Sequence, residues 1–342
     1  MLSFGNIVIL HPAAIGDAML ATPVAHALKL NYPAAKITYW SHPVLRQLLL
    51  GLNPYVDEFI DFSRDQGFFQ MVKQIEAMKP DLFVDLSNSS KLKFLSWFTR
   101  VPIVRYQKQR SDALPVMHAV DNFLNTVRHL CPEMPNPVFP SIFPEALAKD
   151  VIDKINGGGE FSAQPLIALV PGVGKFRPHR AWIQDGWIYL IRNLQERKSF
   201  RLLLIGGEDD AELCEAINNE TGNACVNVAG MLSLSETAAV LRRCIFAISG
   251  DTGPAHLAVA VGTPVIGLYG ATYPQRSGPY GYSVMTIDQS KACRCHGAKV
   301  CQFVRPDAPG ECMHRIMLPE VIEKIDLALG IENDNVIKEF EN

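Results

Sequence analysis

An excess of basic charge is missing from this sequence: 32 Lys and Arg stand against 35 Asp and Glu, a formal net charge of −3. That balance gives no footing for a nucleic-acid binder. An uninterrupted apolar run of membrane length is also missing. The longest candidate, residues 255–271, is broken by His256, Gly262, Pro264 and Gly267, so no spanning helix is expected. No basic n-region or cleavage site precedes the apolar run Ile7 to Leu10, which predicts no signal peptide and a cytoplasmic protein. There is no internal repeat and no low-complexity stretch. The chain has no Gly-Lys-Ser/Thr closing a Walker A loop, and no paired Cys-x-x-Cys ribbon.

What is present is rhythm. Short apolar runs alternate with amphipathic stretches along nearly all of the 342 residues. In the first half the strand-like runs are 6–10, 36–40, 81–85 and 103–104, with helix-like stretches at 18–30, 66–78, 92–98 and 120–130. After a proline-rich segment, 132–144, and Gly157 to Gly159, a second series begins. Its strands are expected at 166–170, 201–205, 224–227, 245–249 and 264–268. Its helices are expected at 185–196, 209–220, 235–242 and 254–261, with a last one at 318–329. Such alternation predicts an α/β chain of two doubly wound, Rossmann-like domains. The boundary falls in a linker between about 132 and 165, giving domains 1–150 and 151–342, with the last helix a candidate to pack back on the first domain. Ligands bind beyond the carboxyl ends of parallel strands, so the cleft between the domains is the expected active site.

The loops after the strands carry the chemistry. The first reads His11-Pro12-Ala13-Ala14-Ile15-Gly16-Asp17 and leads into a helix. Asp17 suits a helix cap, or a general base pointing into the cleft. The loop from Val170 to Trp182 crowds Lys175, Arg177, His179 and Arg180 beside Gly172 and Gly174. Cations and flexible backbone suit a diphosphate; a solvated basic loop is the plainer alternative. Gly250-Asp251-Thr252-Gly253 precedes Pro254, which fits a first helical turn. The amides exposed there form an anion site that Thr252 and His256 can supplement, while Asp251 suits sugar hydroxyls. Glu208, after another strand, can accept from a ribose diol or simply cap a helix.

Two further features stand apart. Cys293, Cys295, Cys301 and Cys312 cluster late in the chain and could hold a structural zinc or iron–sulfur group, or remain thiols in a loop. Cys131, Cys214, Cys225 and Cys244 read as small core residues. Between Asp85 and Asp112 every charge is basic, with Trp97 and Phe98 interleaved. That pattern fits a solvated helix face, or a docking surface for an anionic lipid or phosphorylated glycan.

The segment from Gly250 through His256 to Pro264 and Gly270 resembles the lipopolysaccharide heptosyltransferase family, glycosyltransferase family 9. The Ile15-Gly16-Asp17 turn, the basic loop ending at Arg180-Ala181-Trp182, and residues 228–234 resemble it too. The resemblance implies a GT-B fold, an acceptor-binding first domain and a nucleotide-sugar-binding second domain. It implies inverting transfer of a sugar, heptose from ADP-heptose, to a lipopolysaccharide core or related lipid-linked glycan, with no required metal or other cofactor. By that likeness Asp17 is the base. Lys175, Thr252, Gly253 and His256 hold the diphosphate, Asp251 the donor sugar, and Met231 and Leu234 lie near the nucleotide base. Gly16, Arg180 and Glu208 complete the donor-binding set. Some members carry Ser where this chain has Thr252; either supplies a hydroxyl. A lipid-linked acceptor brings with it peripheral contact at the cytoplasmic face of the inner membrane. Two other readings share the fold: a sugar-nucleotide epimerase, and a non-catalytic nucleotide-sugar binder.

Overall fold

A computed structural model describes residues 3–12, 15–109, 115–155, 164–197, 200–295 and 300–334. The chain divides into two units, 1–143 and 144–342.

In the first unit, β1 (Asn6–His11) leads to α1 (Ile15–Asn31), β2 (Lys36–Ser41), α2 (Arg46–Gly51) and β3 (Glu58–Asp61). Then follow α3 (Phe68–Met78), β4 (Leu82–Asp85), α4 (Leu95–Phe98), β5 (Ile103–Arg105) and α5 (Ala119–Asn125). The five strands run parallel in the order β3-β2-β1-β4-β5. Ile7 to Leu10 are all fully buried, as a central parallel strand with both faces covered requires. On one face Val8, Leu10, Trp40 and Phe83 pack with Met71, Val72 and Ile75 of α3 and with Leu92 and Leu95.

The second unit opens with α6 (Ala148–Ile155), which falls inside the expected linker. It continues through β6 (Leu166–Val170), α7 (Gln184–Arg197), β7 (Arg201–Leu204), α8 (Ala211–Glu220), β8 (Cys225–Asn227) and α9 (Leu234–Arg243). The rest comprises β9 (Cys244–Ser249), α10 (Gly253–Ala260), β10 (Val265–Tyr269), α11 (Pro274–Ser277), β11 (Thr286–Asp288) and α12 (Leu318–Asp334). Six parallel strands lie in the order β11-β10-β9-β6-β7-β8. Local chemistry sets the helix starts. At α9, Ser233 Oγ accepts from the Glu236 amide while the Glu236 carboxylate accepts from the Ser233 amide, a reciprocal cap. The last helix, α12, packs on α7, β10 and β11 of its own unit. Among the described residues no helix is long and apolar enough to cross a membrane.

Candidate functional site

In a doubly wound sheet the strand order reverses at one place, and the loops on either side of that switch point diverge to leave a crevice. In the second sheet the switch lies between β6 and β9, where Val170 pairs with Ser249. The basic loop after β6 and the turn after β9 therefore leave the sheet side by side. The next strands outward, β7 and β8, deliver the segments 205–210 and 228–234. All of the expected donor residues except Gly16 thus come from the carboxyl ends of four adjacent strands, β9-β6-β7-β8.

An enclosed ion pair joins the two central loops. Arg180 ends a single 3₁₀ turn, Pro178–Arg180, and its Nη1 donates to Asp251 Oδ2 at 2.6 Å. The two side chains are 13% and 9% exposed. Asp251 Oδ1 lies 3.5 Å from Nε2 of the buried His256, one turn into α10. Burial alone would raise the Asp251 carboxyl. The His256 hydrogen bond, the Arg180 charge and a hydrogen bond from Thr272 outweigh it and hold the group below the usual carboxylate range. The buried Tyr269 hydroxyl is pushed well above its ordinary value by burial and by the Asp251 charge.

Thr252 caps α10: its backbone is extended, and its Oγ1 accepts from the Ala255 amide at 3.4 Å and shares a 3.1 Å contact with Ser249 Oγ. Gly253 and Pro254 follow as the first helical residues. Pro254 has no N–H, the Ala255 amide is taken by Thr252 Oγ1 and the His256 amide by the Thr252 carbonyl, so this helix start presents the Gly253 amide and the positive end of the helix dipole. A Cβ on Gly250 would meet the Arg180 carbonyl oxygen at 3.4 Å, an ordinary contact, so close packing does not demand glycine there.

On the outer side, Lys175 follows Gly174, whose φ of +70° favours glycine. Lys175 is exposed and reaches Asp209 at 2.5 Å; that hydrogen bond and charge raise its ammonium above the ordinary value. Glu208 is exposed at the start of the turn after β7. The loop after β8 folds onto this turn through the Gly230 amide, which donates to the Gly206 carbonyl. Met231 beyond it is 64% exposed, and Leu234 opens α9 half-buried.

Sequence reasoning missed Asp210. Its Oδ2 accepts from the Gly207 amide and its Oδ1 from the Gly174 amide, so one carboxylate ties the loop after β7 to the loop after β6. A Cβ on Gly172 would lie 2.1 Å from that carboxylate, so the glycine is a steric necessity. The spacing Gly207 to Asp210 signals a cap, but the bond to Gly174 crosses 36 residues and leaves no local trace.

In the first unit the switch lies between β1 and β4, where Leu10 pairs with Asp85. Asp17 stands exposed in the first turn of α1, and Gly16 precedes it half-buried. A helix start favours a carboxylate there. At the end of β1, His11 is fully buried. Burial lowers its imidazole to about 4, against the opposing pull of the Asp17 charge. Its ring packs edge-on against Phe123, and its Nδ1 has no hydrogen-bond partner among the described residues. Asp85 is buried too, accepting from the Ser87 amide and pairing with Arg105 at 3.1 Å. Neither His11 nor Asp85 was singled out as functional from the sequence. A concave surface of about 470 Å³ beside Phe4, Tyr32 and His129 lies at the amino-terminal edge of this sheet, the wrong end for its ligands.

The late cysteines converge. Cys293 and Cys295 sulfurs are 3.1 Å apart, and burial together with neighbouring thiols pushes Cys295 and Cys312 up to about 12. Tetrahedral zinc would hold its sulfurs roughly 3.8 Å apart. Among the described residues no group of three or more His, Cys, Asp or Glu side chains stands in a metal-holding arrangement. The loop does brace the site: the Gly310 amide donates to the His179 carbonyl, and Trp182 Nε1 donates to the Ile316 carbonyl. Cys131, Cys214, Cys225 and Cys244 are buried thiols.

With this geometry in view, likeness to known proteins becomes informative. The family model described as glycosyltransferase family 9 (heptosyltransferase) matches residues 70–304. Lipooligosaccharide heptosyltransferase 2 of Haemophilus influenzae is 25% identical over 303 residues, covering 80% of this chain and 86% of that protein. Among solved structures, a family 9 glycosyl transferase from Veillonella parvula matches with a TM-score of 0.81 at 21% identity, over 96% of this chain and 98% of that one. The ADP-heptose lipopolysaccharide heptosyltransferase II of E. coli matches with a TM-score of 0.73 at 20% identity, over 96% and 99%. Both confirm the GT-B type of fold. The family match covers well over half the sequence, and the chain belongs to glycosyltransferase family 9, the heptosyltransferases.

Proposed function

We propose that this glycosyltransferase moves a heptose from ADP-heptose to a lipopolysaccharide core or related lipid-linked glycan, with inversion at the anomeric carbon. The observation that carries the donor half is the convergence of the Arg180–Asp251–His256 cluster with the Thr252-capped start of α10 at the switch point of the second sheet. A leaving diphosphate develops negative charge, and preorganised amides and cations meet it without reorganisation. In this reading the Gly253 amide at the start of α10, with Thr252, His256 and Lys175, takes the diphosphate. Asp251 anchors Arg180 and offers its remaining lone pairs to sugar hydroxyls. Glu208 takes the ribose diol, and Met231 and Leu234 lie against the adenine.

The acceptor hydroxyl then attacks the anomeric carbon from the face opposite the diphosphate, and Asp17 takes its proton. A positioned base of this kind contributes about 10²–10⁴-fold. The positive charge needed at the leaving group is supplied by side chains and the start of α10, so the reading requires no metal.

A thermal-shift screen of nucleoside diphosphates tests the donor. ADP should stabilise the protein more than UDP or GDP at equal concentration. Equal shifts for the three would remove the adenine assignment. Incubating the donor alone separates the epimerase reading, which predicts an isomerised donor without acceptor. Transfer to no acceptor despite firm ADP binding would favour the non-catalytic binder.

A further inference from the structure

The short helix α4 and the turn before it carry more apolar surface than the core uses. Leu92 and Leu95 point inward and join the cluster under β1 and β4. Phe94, Trp97 and Phe98 point the other way, and Trp97 is 78% exposed. Phe69, at the start of α3, is 66% exposed and meets Phe98 at a ring distance of 5.8 Å, while Phe94 and Trp97 meet at 5.2 Å. Half-buried Phe68 touches both Phe69 and Phe98 and ties this outer group to the core cluster. Four exposed aromatic rings in two contacting pairs, Phe69–Phe98 and Phe94–Trp97, on α3 and on α4 with the turn before it are unusual, because scattered single apolar residues are the norm for a soluble face.

On the α4 side the charge around the rings has one sign. Lys93 and Arg100 are exposed on the same segment, and Lys73 is exposed one turn after Phe69. The acids nearest in sequence are Asp65 and Glu76, both on the α3 side. Arg105 is not part of the face, since it is turned to Asp85 and to the Ser89 carbonyl. From position 86 to 111 the sequence contains no acid, although the whole chain is net negative. Aromatic rings suit the headgroup zone of a bilayer, and flanking cations are attracted to anionic lipid.

We propose that Phe69, Phe94, Trp97 and Phe98, flanked by Lys93 and Arg100, form a docking face for an anionic phospholipid surface. The rings enter the interfacial zone and the cations meet lipid phosphates. Basic charge alone would serve a soluble phosphorylated glycan, and four exposed rings would then have no use. The inference does not depend on the sugar-transfer reading, because binding to lipid is measured without donor or acceptor.

The tryptophans make the test specific. Trp40, Trp182 and Trp187 are buried, so Trp97 dominates whatever emission a solvent quencher can reach. The full chain should co-sediment with vesicles containing phosphatidylglycerol and not with vesicles of phosphatidylcholine alone. Binding should shift emission to the blue, protect it from iodide, and expose it to brominated lipid. The double variant Phe69→Ser, Trp97→Ser should lose about tenfold in vesicle affinity, and Lys93→Glu with Arg100→Glu at least as much on anionic vesicles. Unchanged circular dichroism spectra and melting temperatures show that the variants are folded. The proposal is overturned if wild type stays in the supernatant, or if the variants sediment as it does. It is equally overturned if Trp97→Ser turns a dimer into a monomer in light scattering, or if a lipid-free phosphorylated glycan protects Trp97 from iodide while vesicles do not.

Discussion

Arg180 and Asp251, 71 residues apart in sequence, are joined by a 2.6 Å hydrogen-bonded ion pair that is nearly closed to solvent. Removing one partner of such a pair leaves the other charge enclosed and uncompensated, at a cost of about 3–5 kcal/mol. Asp251→Asn keeps the shape and removes the charge. It should lower the urea midpoint markedly and weaken ADP binding. An unchanged midpoint would show that the pair is not a structural tie.

His11 sets a pH dependence. Its folded value of about 4 lies below the ordinary 6.5, so the unfolded chain binds more protons between those limits. Stability should therefore be full above about pH 6.5, fall as pH drops through that window by roughly 3 kcal/mol, and flatten near 4. Asp251, also held low, acts in the same direction but only below the ordinary carboxylate range. In His11→Leu the loss between pH 6.5 and 4 should shrink, as read from urea midpoints across pH. A parallel curve for that variant would assign the window to other groups.

Gly172→Ala should place a methyl group inside the Asp210 carboxylate and break its bonds to the Gly174 and Gly207 amides. Overpacking of this kind costs about 1–3 kcal/mol. The melting temperature should fall and ADP affinity with it. Because both changes remove the same tie, Gly172→Ala combined with Asp210→Ala should cost less than the sum of the two singly. Strict additivity would show that Asp210 does not link the loops.

Asp17→Ala should reduce turnover by about 10²–10⁴-fold and leave the ADP-induced thermal shift nearly intact. Full activity in the variant would end the assignment of Asp17 as base. Lys175→Ala should do the reverse, weakening ADP more than adenosine.

Transfer should proceed unchanged in EDTA. Activity lost to chelation and restored by magnesium would overturn the metal-free reading. A fall in melting temperature with activity retained would instead locate a structural metal at Cys293, Cys295, Cys301 and Cys312.

Much of this architecture is legible in the sequence because parallel strands buried on both faces must be continuously apolar. Residues 6–10, 166–170 and 245–249 announce themselves in that way. The edge strands β3 and β11 do not: Glu58-Phe59-Ile60-Asp61 and Thr286-Ile287-Asp288 are short and half polar, and their pairing is decided by neighbours rather than by pattern. The helix α6 hid in a segment where Pro and Gly suggested only a linker. Within the site, glycines, cations and the Thr252 cap could be read from local spacing. The Arg180–Asp251 pair, the Asp210 tie and the buried His11 could not, since each depends on which strand ends the sheet places next to one another.

The order β9-β6-β7-β8 also acts as a ruler. Strands in a sheet stand about 4.8 Å apart, so three steps span roughly 14 Å, comparable to an extended nucleoside diphosphate. In the proposed reading, pyrophosphate recognition sits at one end of that scale, by Thr252, and base recognition at the other, by Met231. On that reading, substitutions around Met231 retune which nucleotide is accepted while the machinery that expels the leaving group stays untouched, and a change of donor within this scaffold becomes a small evolutionary step.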